Sequence, residues 1–494
     1  MQEIAQKLFL NGKMATPDAL KMAQENNLGL EALLSLSEDI IDETAIRGIL
    51  NKESPLEKSP AGLENATKIE QIAPKEAIKT EICRDKKRAL AEEYDIDFRL
   101  ENNIISHKER KSKDFINYFS SRYHFLQSLL MKRLNPISIS NLPKISSDSV
   151  SIIGMVSDIR TTGNGNKMLV VEDPTGSINC IVNSSINEDL FDEANNTLLD
   201  EVIGLTGMFK NGLFLIKEIS RPDLPVVGQQ NRLDVPLKAA FLSDIHFGSA
   251  EFLEGPFNNF IKWINSPAAE AVKYVFIAGD LCDGIGIYIG QDKDLAITDG
   301  ERQYEALAEK LSKIPERIKI IISPGNHDII GNHEPQQLLD YTALSKLPNV
   351  IFGTNPCSVV LQNKLRVLMY HGYSYDSIIA ELPRIRHDGY DKPCLPMIEA
   401  LKRRHLSPIY GGSLIIPEQR DCLVIDQVPD ILHSGHLHTV GVQDYRGVTL
   451  VNSGTFQGRT SFQERMGHHP HPGIFACMDL QTRKTELVDV NNPI

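Results

Sequence analysis

Five short polar clusters, each directly behind an apolar run of strand length, constrain this chain more than any other feature. The runs are Ala239–Ser243, Tyr274–Ala278, Ile318–Ile322, Leu365–Tyr370 and Asp430–His433, with a sixth at Val448–Val451. The clusters are Ser243-Asp244-Ile245-His246, Ala278-Gly279-Asp280, Pro324-Gly325-Asn326-His327-Asp328, Tyr370-His371-Gly372 and Ser434-Gly435-His436-Leu437-His438. Unbroken apolar runs this short read as strands buried on both faces. Helix-like stretches at 301–313 and 334–345 lie between them, so an α/β sandwich is expected from about residue 235 onward. Loops at the carboxyl ends of such strands converge on one crevice. The five clusters are therefore expected to meet.

The residue types in those clusters suit a pair of cations. A dinuclear hydrolase needs two metal ions bridged by oxygen and held by carboxylate, imidazole and amide groups. Asp280 is the natural bridge, and its small neighbours Ala278 and Gly279 let the backbone approach closely. Asp244, His246, Asp280 and His438 would hold the first ion; Asp280, Asn326, His371 and His436 the second. His327 is left over, placed to stabilise charge on a phosphate or to protonate a leaving oxygen. Asp328 is a candidate to orient it. Taken singly, each cluster is a common turn or surface pair; the weight lies in five of them in one order at strand ends. His468, His469 and His471 sit in a Pro-rich loop and no ligand is expected among them. Asp, His and Asn ligands suit manganese, iron or zinc.

Twelve of the fourteen histidines follow residue 240, which places metal or proton chemistry in that half. The net charge of −13 argues against a free-standing nucleic-acid binder held by a basic surface. Seven scattered cysteines without a C-x-x-C pair fit a reducing cytoplasm. There is no apolar run long enough to span a membrane, and the first residues do not resemble a signal peptide.

At 494 residues the chain is too long for one core. Residues 1–52 read as a small helical module, with helix-like runs at 18–25 and 42–50. Residues 53–112 read as a linker, largely disordered, with Pro, Lys, Glu and Ala prominent in 53–80. Residues 113–147 read as a helix and connector, with Phe115, Phe119, Tyr123, Leu126 and Leu130 on one face. The preceding basic residues Lys108, Arg110, Lys111 and Lys113 are more simply a solvated face than a phosphate contact. Residues 148–225 carry five strand signals divided by turns, one of them Asn211-Gly212, and read as an OB-type β-barrel. Its only aromatics are Phe191, Phe209 and Phe214, few for a single-strand binder, so a protein-contacting barrel is at least as good a reading.

The order of the five clusters resembles the calcineurin-like metallophosphoesterases, and residues 244, 246, 280, 326, 327, 371, 436 and 438 match that family's pattern position by position. Segments 279–295, 323–336, 410–438 and 445–457 further resemble the small subunits of archaeal family-D DNA polymerases, as does the order of domains. That resemblance implies a multidomain α/β chain: a helical N-terminal module, an OB-type barrel, and a calcineurin-like α/β/β/α phosphoesterase sandwich at 235–494. It implies a 3′→5′ exonuclease with two divalent ions, manganese foremost, acting on single-stranded or mismatched 3′ ends. It also implies a large catalytic polymerase subunit as partner and no membrane association. The alternative is a structural subunit whose phosphoesterase fold mainly supports the large chain. Part of the docking face for that partner is expected within 410–457, with Ile415, Ile416 and Phe456 as apolar contacts.

Overall fold

Successive side chains along each strand of the C-terminal half enter two different cores, and that alternation builds the architecture. The computed structural model describes residues 89–492 apart from 104–108, 146, 186, 227 and 341, together with 14–15 and 40–41. Within residues 1–52 the described structure is a parallel pairing of Met14–Ala15 with Ile40–Ile41. The helix-like runs at 18–25 and 42–50, the 53–80 segment and Lys108 lie outside the described residues. Residues 85–494 form one unit.

The first element of that unit is a short 3-10 turn, Leu90–Glu92, followed by strand β1, Phe98–Asn102. β1 corrects the reading of 53–112 as a largely disordered linker. It pairs antiparallel with residues 357–361, and Phe98 and Leu100 pack on the core between the two sheets of the sandwich. Arg99 and Glu101 occupy the alternate positions, and Glu101 pairs with Arg366. Alternating charges on the outer face hid a strand that supplies apolar groups to the inner one.

Helix α1, Ser112–Leu130, follows. Tyr123, Leu126 and Leu130 pack on the outside of the barrel, against Ile153, Met155 and Val202. The buried face also carries Tyr118 and Arg122, whereas Phe115 stacks edge-on against Tyr410. Arg110 is ion-paired with Glu418.

The barrel strands are β2 (Val150–Thr161), β3 (Lys167–Asp173), β4 (Gly176–Val182), β5 (Val202–Lys210) and β6 (Leu213–Ser220), with helix α2 (Glu188–Asn195) between β4 and β5. They close in the order β2-β3-β4-β6-β5. Leu169 and Val171, Cys180 and Val182, Ile203 and Leu205, and Phe214 and Ile216 fill the interior at the two-residue spacing of strands. Asn211 and Gly212 both have positive φ, as the tight β5–β6 turn requires.

The sandwich begins with β7 (Lys238–Leu242), α3 (Glu254–Ile264), β8 (Val272–Ala278), α4 (Gly300–Leu311) and β9 (Lys319–Ser323). β10 (Val350–Phe352), β11 (Cys357–Leu361), β12 (Leu365–Met369), α5 (Tyr375–Glu381) and α6 (Cys394–Arg403) come next. β13 (Ile431–Ser434), β14 (Gly441–Tyr445), β15 (Val448–Asn452), α7 (Ser461–Met466), β16 (Ile474–Asp479) and β17 (Thr485–Asp489) complete it. One sheet has the order β10-β9-β8-β7-β16-β17, the other β14-β15-β13-β12-β11-β1. Phe241, Phe276, Ile321, Val367, Ile431 and Val451 meet between the sheets. Their strand neighbours Leu242, Ile277 and Ile322 face α3 and α4, while Leu368, Leu432 and Leu450 face α5 and α6. The result is four layers, α/β/β/α, with every central strand buried on both faces.

Residues 334–345 are not the helix their pattern suggests. Gln336 pairs with Asn355 in an isolated bridge, its amide donates to the carbonyls of Gly325 and Gly331, and only Ala343–Lys346 turns helically. These tertiary hydrogen bonds hold the segment extended beneath the 324–328 loop and override its local propensity.

The seam between barrel and sandwich combines buried ion pairs with the apolar contacts of Leu198 and Leu224, which pack into the core under α5 and α6. Arg403 of α6 pairs with Glu201 and Glu399, Arg221 with Glu193, and Arg384 with Asp192 and Glu193. Arg122 of α1 is buried against Asp421 at 2.7 Å and also donates to the Pro408 carbonyl. His405 holds the same Asp421 carboxylate at 2.8 Å. Among the described residues no helix is long and apolar enough to cross a membrane.

Candidate metal centre

Each cluster leaves the carboxyl end of its strand at once: β7 into Asp244 and His246, β8 into Asp280, β9 into Asn326 and His327, β12 into His371, and β13 into His436 and His438. The two sheets lie side by side at this edge, so loops from both close over one point. Asp244, His246, Asp280, His436 and His438 all adopt positive φ, a region where Asp and His are enriched among non-glycine residues. Backbone of this kind costs of order 1–3 kcal/mol per residue and clusters at functional sites. Space is equally tight. A Cβ on Gly279 would come within 2.4 Å of His371 Nδ1, and one on Gly435 within 2.4 Å of Asp244 Oδ2.

The ligand atoms fall into two groups around Asp280. His438 Nε2 lies 3.4 Å from Asp244 Oδ1 and 3.1 Å from His246 Nε2. His246 Nε2 lies 3.7 Å from Asp280 Oδ2. On the other side, His371 Nε2 is 3.3 Å from Asp280 Oδ2 and 2.9 Å from Asn326 Oδ1. Asp280, His371 and His436 form one set of mutually adjacent ligand atoms, Asp244, His246 and His438 another, and His246, Asp280 and His327 a third that overlaps both. All seven candidate ligands are brought together, with Asp280 common to both sides.

The partners behind these ligands were not singled out in the sequence. Asp283 Oδ1 accepts from His246 Nδ1 at 2.8 Å, which leaves Nε2 as the ligating nitrogen. Gln457 and Gln291 in turn hold Asp283. The Ala278 carbonyl takes His371 Nδ1 at 2.8 Å, and Asp376 takes His436 Nε2 at 2.9 Å. Asp283 stands three residues after Asp280 in the same post-strand loop, and that carboxylate was the available signal. Asp376, at the start of α5, left none.

His327 lies beside the cluster, its ring edge-on to His246 at 4.8 Å between centroids. Its Nδ1 bonds to the Asp283 carbonyl at 2.9 Å. Asp328, expected to orient it, does not. Asp328 is buried, accepting from Tyr304 Oη at 2.6 Å and from the Gly325 amide at 2.8 Å. It braces the 325–328 turn from within, so Asp283 takes the orienting role. Phe456, proposed as an apolar contact for a partner, is likewise buried among the α3 and α4 side chains, whereas Leu414 and Tyr410 are exposed.

Protons and cations compete for this cluster. Burial alone would lower His371, but the charges of Asp280 and Asp244 outweigh it and hold the imidazole at about 10. Burial is likewise outweighed at His246, where Asp283 and Asp280 hold it at about 9. The same histidines keep Asp280 well below the usual carboxylate range despite its burial. Burial and the charge of Asp280 push Asp328 up to about 6.

The donor set fits divalent cations. Asp244 Oδ1 is fully buried with no hydrogen-bond donor, and two imidazole nitrogens face each other across 3.1 Å beside it. Once His246 gives up its second proton, that is a collection of lone pairs around one point, suited to a positive ion. Because His246 and His371 hold protons at neutral pH, cation binding is expected to release about two protons, one from each ring. Apparent affinity is expected to rise with pH up to about 10, less steeply above about 9 where His246 has already lost its proton. Calorimetric titration in buffers of different ionisation enthalpy measures the release; binding without it would contradict the assignment.

Loops from two facing sheets that deliver this ligand set define a calcineurin-like phosphoesterase domain, and that family's model matches residues 237–440. The resemblance extends well beyond the domain. A DNA polymerase II small subunit from Archaeoglobus fulgidus is 38% identical over 484 residues, 96% of this chain and 95% of the relative. Those from Methanothermobacter thermautotrophicus and Thermoplasma acidophilum are 41% and 37% identical, over 75% and 77% of this chain and 79% of each relative. This chain belongs to the small subunits of archaeal DNA polymerase II, the family-D enzyme.

Proposed function

We propose that this chain hydrolyses DNA from its 3′ end by two-metal phosphodiester hydrolysis, proofreading for a large subunit that carries the polymerase site. The observation that carries the reading is the convergence of seven metal-ligand side chains from five strand ends, with none replaced by an inert residue. A protein that used this fold only as a scaffold would have no need for five left-handed residues and a buried, undonated carboxylate oxygen at one point. A pair of bound cations, manganese foremost, would supply an activated water and charge neutralisation at the phosphate. Asp244, His246, Asp280 and His438 would hold one, and Asp280, Asn326, His371 and His436 the other. His327, oriented through Nδ1, offers Nε2 to the scissile phosphate or the leaving oxygen. We read the barrel as OB-type and as a contact module rather than a strand-binding one, because Phe214 is buried and Phe191 and Phe209 pack on its core.

The test is release of nucleotides from a single-stranded oligonucleotide by the full chain with manganese, alone and with the large subunit. Ions bound without any release would favour the scaffold reading. Within an active protein, His327→Ala is expected to lower turnover by about 10²–10⁴-fold with cation affinity unchanged. Loss of the cations along with activity would instead make His327 a ligand.

A further inference from the structure

Among the described residues the exposed large aromatic side chains are Tyr288, Tyr410 and Phe462. Two of them, Tyr288 and Phe462, line the same cleft of about 500 Å³ that holds the metal ligands. Phe462 is 58% exposed, an arrangement a folded chain gains nothing from by itself. It stands on α7, and Arg465 on that helix also lines the cleft. Residues three apart on a helix share a face, so an aromatic ring and a guanidinium are presented together. Arg465 has no ion-pair partner among the described residues. The helix is fixed to the candidate metal centre: Gln463 closes a capping box with Thr460, and its side-chain amide is hydrogen-bonded to His438 Nδ1 at 2.9 Å.

The rest of the cleft is acidic. Glu251, Asp294 and Asp376 line it beside the ligand carboxylates, and Arg465 is its one Lys or Arg. Phosphate neutralisation by the protein is therefore weak here, and a nucleic-acid strand needs another source of affinity. Stacking of a base on an aromatic ring supplies it without regard to sequence. Resting on the nuclease reading above, we propose that α7 receives the 3′-terminal nucleotide of a single-stranded DNA end: Phe462 stacks on its base and Arg465 takes a backbone phosphate. A terminus already unpaired can reach the ring, whereas a paired one must first unstack. The selectivity a proofreading site needs then arises from base exposure and not from base identity.

Two measurements on the full chain test this. A single-stranded oligonucleotide ending in 3′ 2-aminopurine, with cations withheld, is expected to lose fluorescence on binding the unaltered protein and Phe462→Trp, but not Phe462→Ala. With manganese present, the ratio of hydrolysis efficiencies on base-bearing and abasic 3′ termini is expected to fall roughly 5- to 150-fold in Phe462→Ala and to persist in Phe462→Trp. Equal quenching by Phe462→Ala, or an unchanged ratio, would overturn the proposal. Absence of any hydrolysis by the unaltered protein would overturn the nuclease reading, and the fluorescence result then decides separately whether α7 receives a base.

Discussion

Asp280→Asn is expected to lower phosphodiester hydrolysis by at least about 10³-fold while the fold stays intact, because on the proposed reading one carboxylate would serve both cations and the stabilisation at stake is several kcal/mol. Asp280 Oδ2 lies within 3.7 Å of His246 on one side and 3.3 Å of His371 on the other. Oδ1 accepts the His327 amide, a contact the isosteric asparagine keeps. Circular dichroism should therefore be unchanged while cation stoichiometry and turnover both fall. Full activity with two ions bound would remove Asp280 from the bridge.

Arg122→Ala is expected to cost about 3–5 kcal/mol of stability, the penalty for stranding one member of a buried ion pair. Its guanidinium and the Asp421 carboxylate are both fully enclosed. Burial would push Asp421 up, yet His405 and Arg122 hold it well below its usual range. A carboxyl depressed in the fold contributes stability above its unfolded value, about pH 4, and that stability is lost as the pH falls further. The variant is thus expected to lose stability mainly at neutral pH and to unfold in acid more like the unaltered protein. Adding Asp421→Asn should restore part of the loss by removing the stranded charge. Denaturant unfolding at two pH values checks both statements; an Arg122→Ala change under about 1 kcal/mol, the usual size for an exposed pair, would refute them.

The core strands and the clustering of the candidate ligands were legible because both are written locally. An apolar run marks a strand buried on two faces, and a polar cluster stands within a few residues of its end, so β7, β8, β9, β12 and β13 and the meeting of their seven candidate ligands could be read together. The five barrel strands were legible for the same reason, through alternation and turn residues such as Asn211-Gly212. What escaped was written across the fold. Phe98–Asn102 looked like linker because charges fill its outer face, and only pairing with β11 makes it a strand. The 334–345 segment has helical character that Gln336 gives up to hydrogen bonds with Gly325, Gly331 and Asn355. Asp328 was placed beside His327 by adjacency alone, but consecutive residues in a turn point apart, and it turned inward to Tyr304. Asp376 and Gln463 support His436 and His438 from 60 and 25 positions away. Arg122 sat among aromatic residues on a helix face where a charge is not expected until its partner is known.

The buried ion pairs in the seam between barrel and sandwich set how the molecule responds to heat. Hydration of charged groups becomes less favourable as temperature rises, so the cost of keeping Arg403, Glu201 and Arg221 out of water shrinks on warming. An apolar seam of the same extent would gain nothing comparable. Warming is therefore expected to loosen the periphery of each domain before it parts the two, and the barrel and the phosphoesterase should melt as a single cooperative block.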